Sequence, residues 1–302
     1  MTSKSGLLLI DKAGAWTSHD VVAKVRGILK TRRVGHAGTL DPMATGLLIL
    51  GVNNATKLLT FIVGETKTYL ATIRLGASTI TDDAEGEVTA QADSASLEAV
   101  TDELIRAEIA KLTGEIMQVP SSVSAIKVNG ERAYAKVRSG DEVKLAARPV
   151  TVSKFEILEA PKRGGDFIDI AVEIDCSSGT YIRALARDLG NSLGVGGHLT
   201  ALRRTRIGAY HVEDAVSFEK LTESGEACLL DVAAAATAQF AKLQLSEQDE
   251  IDLRHGKRIQ PPVAVTDSVV AAINADGSLV AMLEPVGKQL KSVVVFQSEE
   301  SK

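Results

Sequence analysis

The sequence predicts an α+β protein built on a mixed, mainly antiparallel sheet, with a small β-rich unit at the C-terminal end. Predicted strands come in clusters and do not alternate regularly with helices, which argues against a doubly wound parallel sheet. From about residue 263 the pattern changes to short β-prone runs separated by turn residues. The chain is 45 % hydrophobic and 24 % charged, a composition typical of a globular protein. Its length of 302 residues fits one large and one small domain.

The N-terminal part predicts a strand, a helix and a second, buried strand. The apolar run at residues 7–10 indicates a short strand, and residues 47–52 indicate a buried one. Between them, Ser18 is a candidate N-cap. The helix after it has apolar residues at 3.6-residue spacing, namely Val21, Val22, Val25, Ile28 and Leu29.

The middle of the chain predicts further strands and one amphipathic helix. Residues 68–75, rich in β-branched and aromatic side chains, indicate a strand, and later strands are predicted at 150–158, 167–174 and 207–212. The helix is indicated by an apolar face that ends before Gly114 and comprises Leu104, Ile105, Ile109 and Leu112.

The C-terminal unit is predicted from four short runs, at residues 263–265, 269–273, 279–283 and 293–296. Asp276 and Gly277 predict a hairpin turn within it. The alanine-rich residues 233–238 are either a domain boundary or the end of a helix. We place the boundary after residue 237, which divides the chain into residues 1–237 and 238–302.

The net charge excludes a protein that binds polyanions over its whole surface. There are 34 Lys and Arg against 39 Asp and Glu, a formal net charge of -5. Basic residues still predominate in two segments, with eight against three acidic ones in residues 1–60 and five against one in residues 181–210. Residues 81–120 hold ten acidic and two basic residues. The two basic segments form one anion-binding face if the fold brings them together, and are otherwise ordinary solvated surface.

Cysteine and hydropathy patterns bear on the cellular compartment. Cys176 and Cys228 show neither CxxC spacing nor neighbouring histidine ligands, which disfavours a disulfide scaffold and a zinc site. No segment approaches the ~18 uninterrupted apolar residues of a membrane span. We expect a cytoplasmic protein without a membrane partner.

A glycine-rich segment, residues 35–46, is the strongest candidate for chemistry. Its three glycines and Pro42 predict a loop of special backbone geometry between a basic helix and a buried strand. The loop presents His36 and Asp41, and basic residues just upstream suggest an anionic ligand. The alternative is an Asp-Pro turn whose carboxylate only accepts hydrogen bonds from the backbone.

A second candidate segment, residues 177–183, follows a predicted strand and opens a predicted helix. Ser178 or Thr180 is a candidate N-cap, which places Arg183 in the first helical turn. A guanidinium there opposes the helix dipole unless an anion compensates it, so Arg183 is a candidate partner for Asp41. The alternative is a surface arginine.

Several reaction classes lack their sequence signatures. The chain has no GxxxxGK[ST] loop, no GxGxxG after a strand, no HExxH and no GxSxG. This disfavours nucleotide hydrolysis, dinucleotide chemistry, zinc proteolysis and α/β-hydrolase chemistry. The five histidines are too scattered to act as helical metal ligands.

A set of motifs in characteristic order resembles the TruB family of pseudouridine synthases over nearly the whole chain. The most specific motif is GHAGTLDPMATG at residues 35–46. The others, in order, are LIDK at 9–12 with TS at 17–18, KTY at 67–69, SAIKVNG at 124–130, SGTYIR at 178–183 and LRR at 202–204.

The resemblance implies that the protein isomerises uridine 55 in the T loop of tRNA to pseudouridine, without a metal or other cofactor. The C–N glycosidic bond breaks, the uracil turns over, and a C–C bond forms to its C5. Such a bond is out of reach in a stacked nucleotide, so the base must be extruded into the site.

The resemblance also implies the catalytic residues. Asp41 is the carboxylate that acts either as nucleophile or as base towards the ribose, and Arg183 holds it ionised and oriented. Tyr69 stacks on the uracil, with its hydroxyl placed for the late proton transfer at C5. For Tyr69 the alternative is a tyrosine of the sheet core.

Four further residues are implied to bind the substrate. Leu202 packs on the base, for which the alternative is a leucine of the core. His36 fills the space that the extruded base leaves in the RNA, and Lys12 and Tyr181 line the site.

The family fold is an α+β catalytic domain, to which bacterial members often add a PUA-like RNA-binding domain that matches residues 238–302 here. The resemblance implies tRNA as partner, a monomer and no obligate protein partner. Two competing hypotheses remain, a non-catalytic RNA-binding or tRNA-folding protein on the same scaffold and an enzyme of the family that acts on another RNA.

Two positions depart from the family pattern. Ala13 stands where the family usually has proline, which is expected to loosen a loop, and Ser122 and Val123 stand where an aromatic residue usually lies near the substrate groove. The acidic residues from Asp82 to Glu87 are expected either to lie away from the RNA phosphates or to act as a negative selectivity element.

Overall fold

The computed structural model describes residues 4–121, 127–128, 131–132, 145–261 and 265–297. The departures at Ser122 and Val123, most of the motif at 124–130 and most of the run at 263–265 lie outside these residues.

A large sheet forms the centre of the chain up to His211. In chain order the strands of this region are β1 (Gly6–Lys12), β2 (Val34–Ala37), β3 (Thr45–Val52), β4 (Lys67–Leu75), β5 (Ala77–Thr79), β6 (Val88–Gln91), β7 (Gly114–Gln118), β8 (Lys127–Val128), β9 (Glu131–Arg132), β10 (Arg148–Ile157), β11 (Lys162–Arg163), β12 (Ile168–Cys176), β13 (Gly197–Ile207) and β14 (Tyr210–His211). The main path of the large sheet is β1-β3-β13-β4-β12-β10-β7, with β2, β11 and β14 at its margins. Only β3 and β13 pair in parallel along this path, so the predicted mixed, mainly antiparallel sheet is confirmed.

Helices cover the sheet. They are α1 (Ser18–Leu29), α2 (Leu59–Ile62), α3 (Ser94–Glu98), α4 (Asp102–Lys111), α5 (Ile182–Ser192), α6 (Phe218–Ser224), α7 (Val232–Gln239) and α8 (Glu247–Arg254), with 3₁₀ turns at Asn53–Lys57, Val212–Asp214 and Gly225–Cys228. The apolar stripes of α1 and α5 are buried in the same core as the inner face of the sheet, for example Val21, Val25, Leu185 and Leu189.

Both predicted helix caps are wrong. Helix α1 is capped by Thr17, whose Oγ1 accepts from the Asp20 amide while the Asp20 carboxylate accepts from the Thr17 amide. Ser18 is instead the first helical residue and is buried. Helix α5 starts after Tyr181, with no side-chain cap from its own flank.

Strand β13 is the largest difference from the predicted elements. The sequence predicted a strand only at 207–212, where the structure has the end of β13, a tight turn at Gly208 and the short β14. Three arginines along β13 lower its hydropathy, so the hydrophobic pattern did not predict most of this strand. The other predicted strands before residue 180 agree with the structure to within two residues at each end.

Two smaller differences concern a helix face and a loop. In α4, Ile105 and Ile109 are buried, but Leu104 is 47 % exposed and does not belong to the apolar face. The glycine-rich segment begins as strand β2, so the loop itself starts only at Gly38.

A second sheet forms the C-terminal unit, as predicted. Its strands are β15 (Ala241–Gln244), β16 (Val270–Ile273), β17 (Leu279–Val286) and β18 (Gln289–Val295), which lie in this order. β15 and β16 are parallel, and the other pairs are antiparallel. The predicted turn is present, because Gly277 has a φ of +82° and its amide donates to the Asn274 carbonyl at 3.1 Å.

The two sheets share a buried apolar cluster. Ile49 of β3 and Ile62 of α2 belong to the same cluster as Met282 of β17 and Phe296. The alanine-rich residues 233–238 lie within α7, whose buried alanines join this cluster, so they form a helix.

The described residues include no helix with the length and apolar character needed to cross a membrane. Cys176 and Cys228 are both free thiols, as their spacing predicted. Burial raises the pKa of the Cys176 thiol to about 11, so it is protonated at neutral pH.

Candidate active site

Asp41 and Arg183 meet across the inner face of the large sheet. The Arg183 guanidinium donates from Nη2 to Asp41 Oδ1 at 3.2 Å, and its Nε lies 2.9 Å from Asp41 Oδ2 in an ion pair. This forklike pair is the strong, oriented form of an arginine–carboxylate contact. The Arg183 side chain is 6 % exposed and that of Asp41 34 %, so the carboxylate is open to a ligand while the cation lies behind it. The predicted pairing of the two residues is therefore present.

The acidic segment 82–87 lies beside this pair. Nη1 of Arg183 donates to the Thr81 carbonyl at 2.8 Å and lies 3.5 Å from Asp83 Oδ2, and the Asp83 side chain is buried. One turn further along α5, Arg187 pairs with Asp82 at 3.2 Å. Asp82 and Asp83 both serve as counter-ions to arginines of α5, a role that the two expectations for this segment did not include.

The second basic segment is largely neutralised within the protein. Besides the pairs of Arg183 and Arg187, Arg203 pairs with Asp11 at 2.7 Å and Arg206 with Asp175 at 3.4 Å. These arginines therefore do not form the free anion-binding face that their charge suggested. The basic residues at the end of α1 and the start of β2 are exposed instead, namely Lys30, Arg32 and Arg33.

Arg204 fastens the loop that carries Asp41. It is 1 % exposed, and its guanidinium donates from Nε to the Leu47 carbonyl at 2.9 Å and from Nη2 to the Gly38 carbonyl at 3.1 Å. At the end of the loop, Gly46 has a φ of +99°, and a Cβ there would lie 2.2 Å from the Arg204 carbonyl. Only glycine allows this approach, which explains the last residue of the GHAGTLDPMATG motif.

Lys12 lies beneath the loop that carries Asp41. It is fully buried, and Nζ donates to the carbonyls of Trp16 at 2.7 Å, Ala13 at 3.0 Å and Pro42 at 3.1 Å. The contacts that the structure shows for Lys12, which was predicted to line the site, are with the backbone next to Asp41. Burial lowers the pKa of Lys12 to about 8.

Ser18, predicted as a helix cap, is a further anchor of the loop. Its hydroxyl accepts from the Leu40 amide at 2.9 Å and donates to the Leu40 carbonyl at 3.2 Å. The residue that precedes Asp41 is thus held through both of its backbone polar groups.

Tyr69 and Leu202 lie close together on the inner face of the sheet. Tyr69 pairs with Arg204 across β4 and β13, and Leu202 precedes Arg204 by two residues on the same strand. Both side chains are buried and belong to the main apolar core. Burial raises the pKa of Tyr69, and Arg204 opposes that rise through a hydrogen bond. The phenol is therefore protonated at neutral pH.

His36 and Tyr181 flank the site. His36 is half-buried on β2 and lies edge-on to His19, with ring centroids 5.8 Å apart. Burial, and then the charges of His19 and Arg204, lower the pKa of His36, so the imidazole is neutral at pH 7. Tyr181 is half-buried and precedes α5, two residues from Arg183.

Sequence analysis missed the anchoring residues. Asp83 was only one acid of a charged segment, and its contact with Arg183 depends on a sequence separation that no local pattern reveals. Arg204 and Lys67 occurred within matched motifs without a role, although both are buried, and Lys67 donates to the carbonyls of Val63 and Glu65. The available signal for Arg204 and Lys67 was a basic residue at an inward-facing position of a strand, because a charge is rarely buried there without a structural or functional role.

Comparisons with known proteins agree with the resemblance found in the sequence. Residues 26–182 match the model of the TruB family pseudouridylate synthase N-terminal domain. Residues 183–231 match that of the tRNA pseudouridylate synthase B C-terminal domain, and residues 240–297 match that of tRNA pseudouridine synthase II, C terminal.

Curated relatives and a solved structure extend this likeness. The chain is 57 % identical over 300 residues to a tRNA pseudouridine synthase B of Arthrobacter sp. (strain FB24), covering 97 % of this chain and 96 % of the relative. It is also 57 % identical over 298 residues to that of Leifsonia xyli subsp. xyli (strain CTCB07), covering 98 % of each. A solved H/ACA ribonucleoprotein bound to a substrate RNA containing 2'-deoxyuridine shares the fold, with a TM-score of 0.72 at 23 % identity over 98 % of this chain and 86 % of that chain.

Proposed function

Because the chain belongs to the TruB family of pseudouridine synthases, it is an enzyme that converts a uridine of tRNA to pseudouridine, and we propose that Asp41 is its catalytic carboxylate. We infer that the substrate is uridine 55 in the T loop. The observation that carries the assignment is the two-point ion pair of Arg183 with a carboxylate that is partly open to solvent.

The reaction breaks the bond between ribose C1′ and uracil N1 and forms one between C1′ and C5. N1 gains a proton and C5 loses one, so the reaction is redox-neutral and the substrate and product have equal mass. Asp41 acts on the ribose, as nucleophile or as base. Arg183 orients the carboxylate and balances its charge, and the Asp83 contact fixes Arg183 in turn.

Tyr69 and Leu202 are proposed to hold the uracil. The protonated phenol of Tyr69 is suited to stack on the base and to relay the C5 proton by passing on its own. Leu202 adds an apolar contact two residues from Arg204 on β13. Both side chains are mostly buried, so each offers a small exposed area for the contact.

His36 and Tyr181 are proposed to contact the RNA around the extruded nucleotide. A neutral, flat imidazole can occupy the space that the base leaves in the stack at low desolvation cost. Tyr181 is half-exposed next to Arg183 and is available to contact the flipped nucleotide. Lys12 and Arg204 shape the loop from below and do not touch the substrate.

The T-stem loop of tRNA is the proposed partner of a cytoplasmic monomer. The exposed Lys30, Arg32 and Arg33 are placed to contact its phosphates. We propose that residues 238–302 form a PUA-like RNA-binding domain, which the family match from residue 240 supports. The cluster shared by the two sheets means that this domain also stabilises residues 1–237.

The test is release of tritium from a tRNA transcript that carries C5-labelled uridine. The purified protein, with chelator and without nucleotide or reductant, is expected to release the label from a single T-loop position, and pseudouridine-selective derivatisation maps it. Release only from another RNA would reject the proposed substrate and keep the chemistry. No release under cofactor-free conditions would reject the proposed mechanism and favour a non-catalytic RNA-binding protein.

A further inference from the structure

Helix α5, which carries Arg183, begins without the capping groups that helices normally use. The N-cap position is occupied by Tyr181, which makes no side-chain cap, and the third helical position is Ala184. A capping box needs a short oxygen-bearing side chain at the first of these positions and a Glu or Gln at the second. The local sequence provides neither, and an arginine in the first turn adds a charge that the helix dipole disfavours.

A glutamine from a distant strand supplies the missing contacts. Gln118, the last residue of β7, accepts from the Tyr181 amide through Oε1 at 2.9 Å and donates from Nε2 to the Tyr181 carbonyl at 3.1 Å. Its side chain is 2 % exposed. The Gln118 side-chain amide therefore hydrogen-bonds to both backbone polar groups of Tyr181, the residue that precedes α5 and lies 63 positions away in the chain.

Val119, the residue after Gln118, adds a second contact with α5, at Arg187. The Val119 carbonyl accepts from Arg187 Nη2 at 2.7 Å, and Arg187 also pairs with Asp82. The end of β7 thus makes hydrogen bonds at Tyr181 and at Arg187, before and after Arg183 in the chain. The guanidinium of Arg183 contacts Asp41 from the segment between these two contacts.

We propose that Gln118 is a positioning residue for the isomerisation, and that it acts through Arg183. It does not touch the substrate. It sets the start of α5, and through it the direction from which Arg183 holds the Asp41 carboxylate. A displacement of about 1 Å at a reacting group can cost on the order of 100-fold in rate, so a small shift of this helix end is sufficient to matter. The inference rests on the proposed function of Asp41 and Arg183.

The experiment is a double-mutant cycle measured under single-turnover conditions, with enzyme in excess over C5-tritiated tRNA. Gln118→Met keeps the length of the side chain and removes both hydrogen bonds. It is expected to lower the single-turnover rate constant about 10- to 100-fold, with tRNA affinity within about threefold of wild type. In an Arg183→Lys background, the same change is expected to cost less than about threefold, because the fork that it disturbs is already absent.

Met117→Ala is the matched control. Met117 precedes Gln118 on β7, is 65 % exposed and faces away from the helix. Met117→Ala is expected to leave the rate constant of its own background unchanged, whether that background is wild type or Arg183→Lys. A purely structural role of Gln118 would instead lower the melting temperature and cost the same factor with or without Arg183.

Two results would overturn the inference. One is a folded Gln118→Met protein with an unchanged single-turnover rate, and the other is an equal loss in both backgrounds. If Gln118→Met does not fold, Gln118→Glu, which keeps the acceptor for the Tyr181 amide, is judged by the same two criteria. A wild-type protein that releases no tritium would overturn the proposed function itself, which separates the two failures.

Discussion

The loop that carries Asp41 and the helix that carries Arg183 are fixed by different chemistry. On the loop side, buried cations bind backbone carbonyls, with Lys12 on Pro42 and Arg204 on Gly38. On the helix side, guanidinium groups contact side-chain carboxylates in addition to carbonyls, as in the contacts of Arg183 with Asp83 and with the Thr81 carbonyl. The loop side also presents exposed basic residues, whereas the arginines of the helix side are paired.

This difference indicates what each side contributes. Carbonyl oxygens around a buried cation fix the path of a backbone, so their loss is expected to act mainly on folding stability. A carboxylate on a catalytic guanidinium fixes the direction of a reacting charge, so its loss is expected to act mainly on rate.

Asp41→Asn is expected to have the largest effect. The amide keeps the shape of the side chain but cannot act as nucleophile or base, so turnover should be lost while the melting temperature and tRNA affinity stay near those of wild type. Tritium release and tRNA binding are measured on the same preparation. Activity within tenfold of wild type would reject Asp41 as the catalytic group.

Arg183→Lys is expected to lower the single-turnover rate by on the order of 100-fold or more. An ammonium group retains the charge but cannot reproduce the planar two-point contact of the guanidinium with both Asp41 oxygens. tRNA affinity should change little, because the Arg183 side chain lies behind Asp41 and is almost fully buried. A near-normal rate would mean that the fork is dispensable and that the helix side does not orient the carboxylate.

Asp83→Asn is expected to lower the rate about 10-fold, with a loss of about 1 kcal/mol in the free energy of unfolding. The asparagine keeps a hydrogen-bonding group beside Arg183 but removes the second negative charge, so the guanidinium is held less firmly towards Asp41. Glu87→Gln, an exposed change in the same segment, is the control and should leave the rate unchanged. A large stability loss with an unchanged rate would contradict the proposed division.

The sequence predicted the elements and the pairing of Asp41 with Arg183 better than it predicted the residues that support this pair. The glycine-rich motif and the arginine of SGTYIR pointed to Asp41 and Arg183, because loop geometry and a helix-start arginine leave local signals. The contacts of Asp83 and Gln118 with α5 join segments more than 60 positions apart, and no local pattern encodes them. The burial of Lys12 among backbone carbonyls was not predicted, because a buried lysine and a ligand-binding lysine look alike in the sequence.

Lys12→Met is expected to change the pH dependence of stability on the loop side. The pKa of Lys12 is about 8 in the folded protein against 10.5 for a free lysine, so between these values the unfolded chain binds more protons. The stability of wild type relative to Lys12→Met should therefore rise with pH above about 8, by on the order of 1.4 kcal/mol per pH unit. Urea unfolding at pH 7 to 10 measures it, and a difference that does not vary with pH would show that Lys12 is not held as a buried cation.

Neutralising Lys30, Arg32 and Arg33 is expected to leave the single-turnover rate of bound tRNA unchanged. It is expected to weaken tRNA binding and to make the affinity less dependent on salt. These residues are exposed on the loop side, and each phosphate contact contributes about 0.7 to 0.9 to the slope of log affinity against log salt. The triple glutamine variant should therefore lower the slope by about 2 if all three bind phosphate. Lys162→Gln, an exposed lysine with 70 % of its side chain accessible, is the control for a general effect of charge and should keep the wild-type slope. An unchanged slope in the triple variant would show that the phosphate contacts lie elsewhere than on the loop side. A reduced single-turnover rate at saturating enzyme would show that these residues also shape the site.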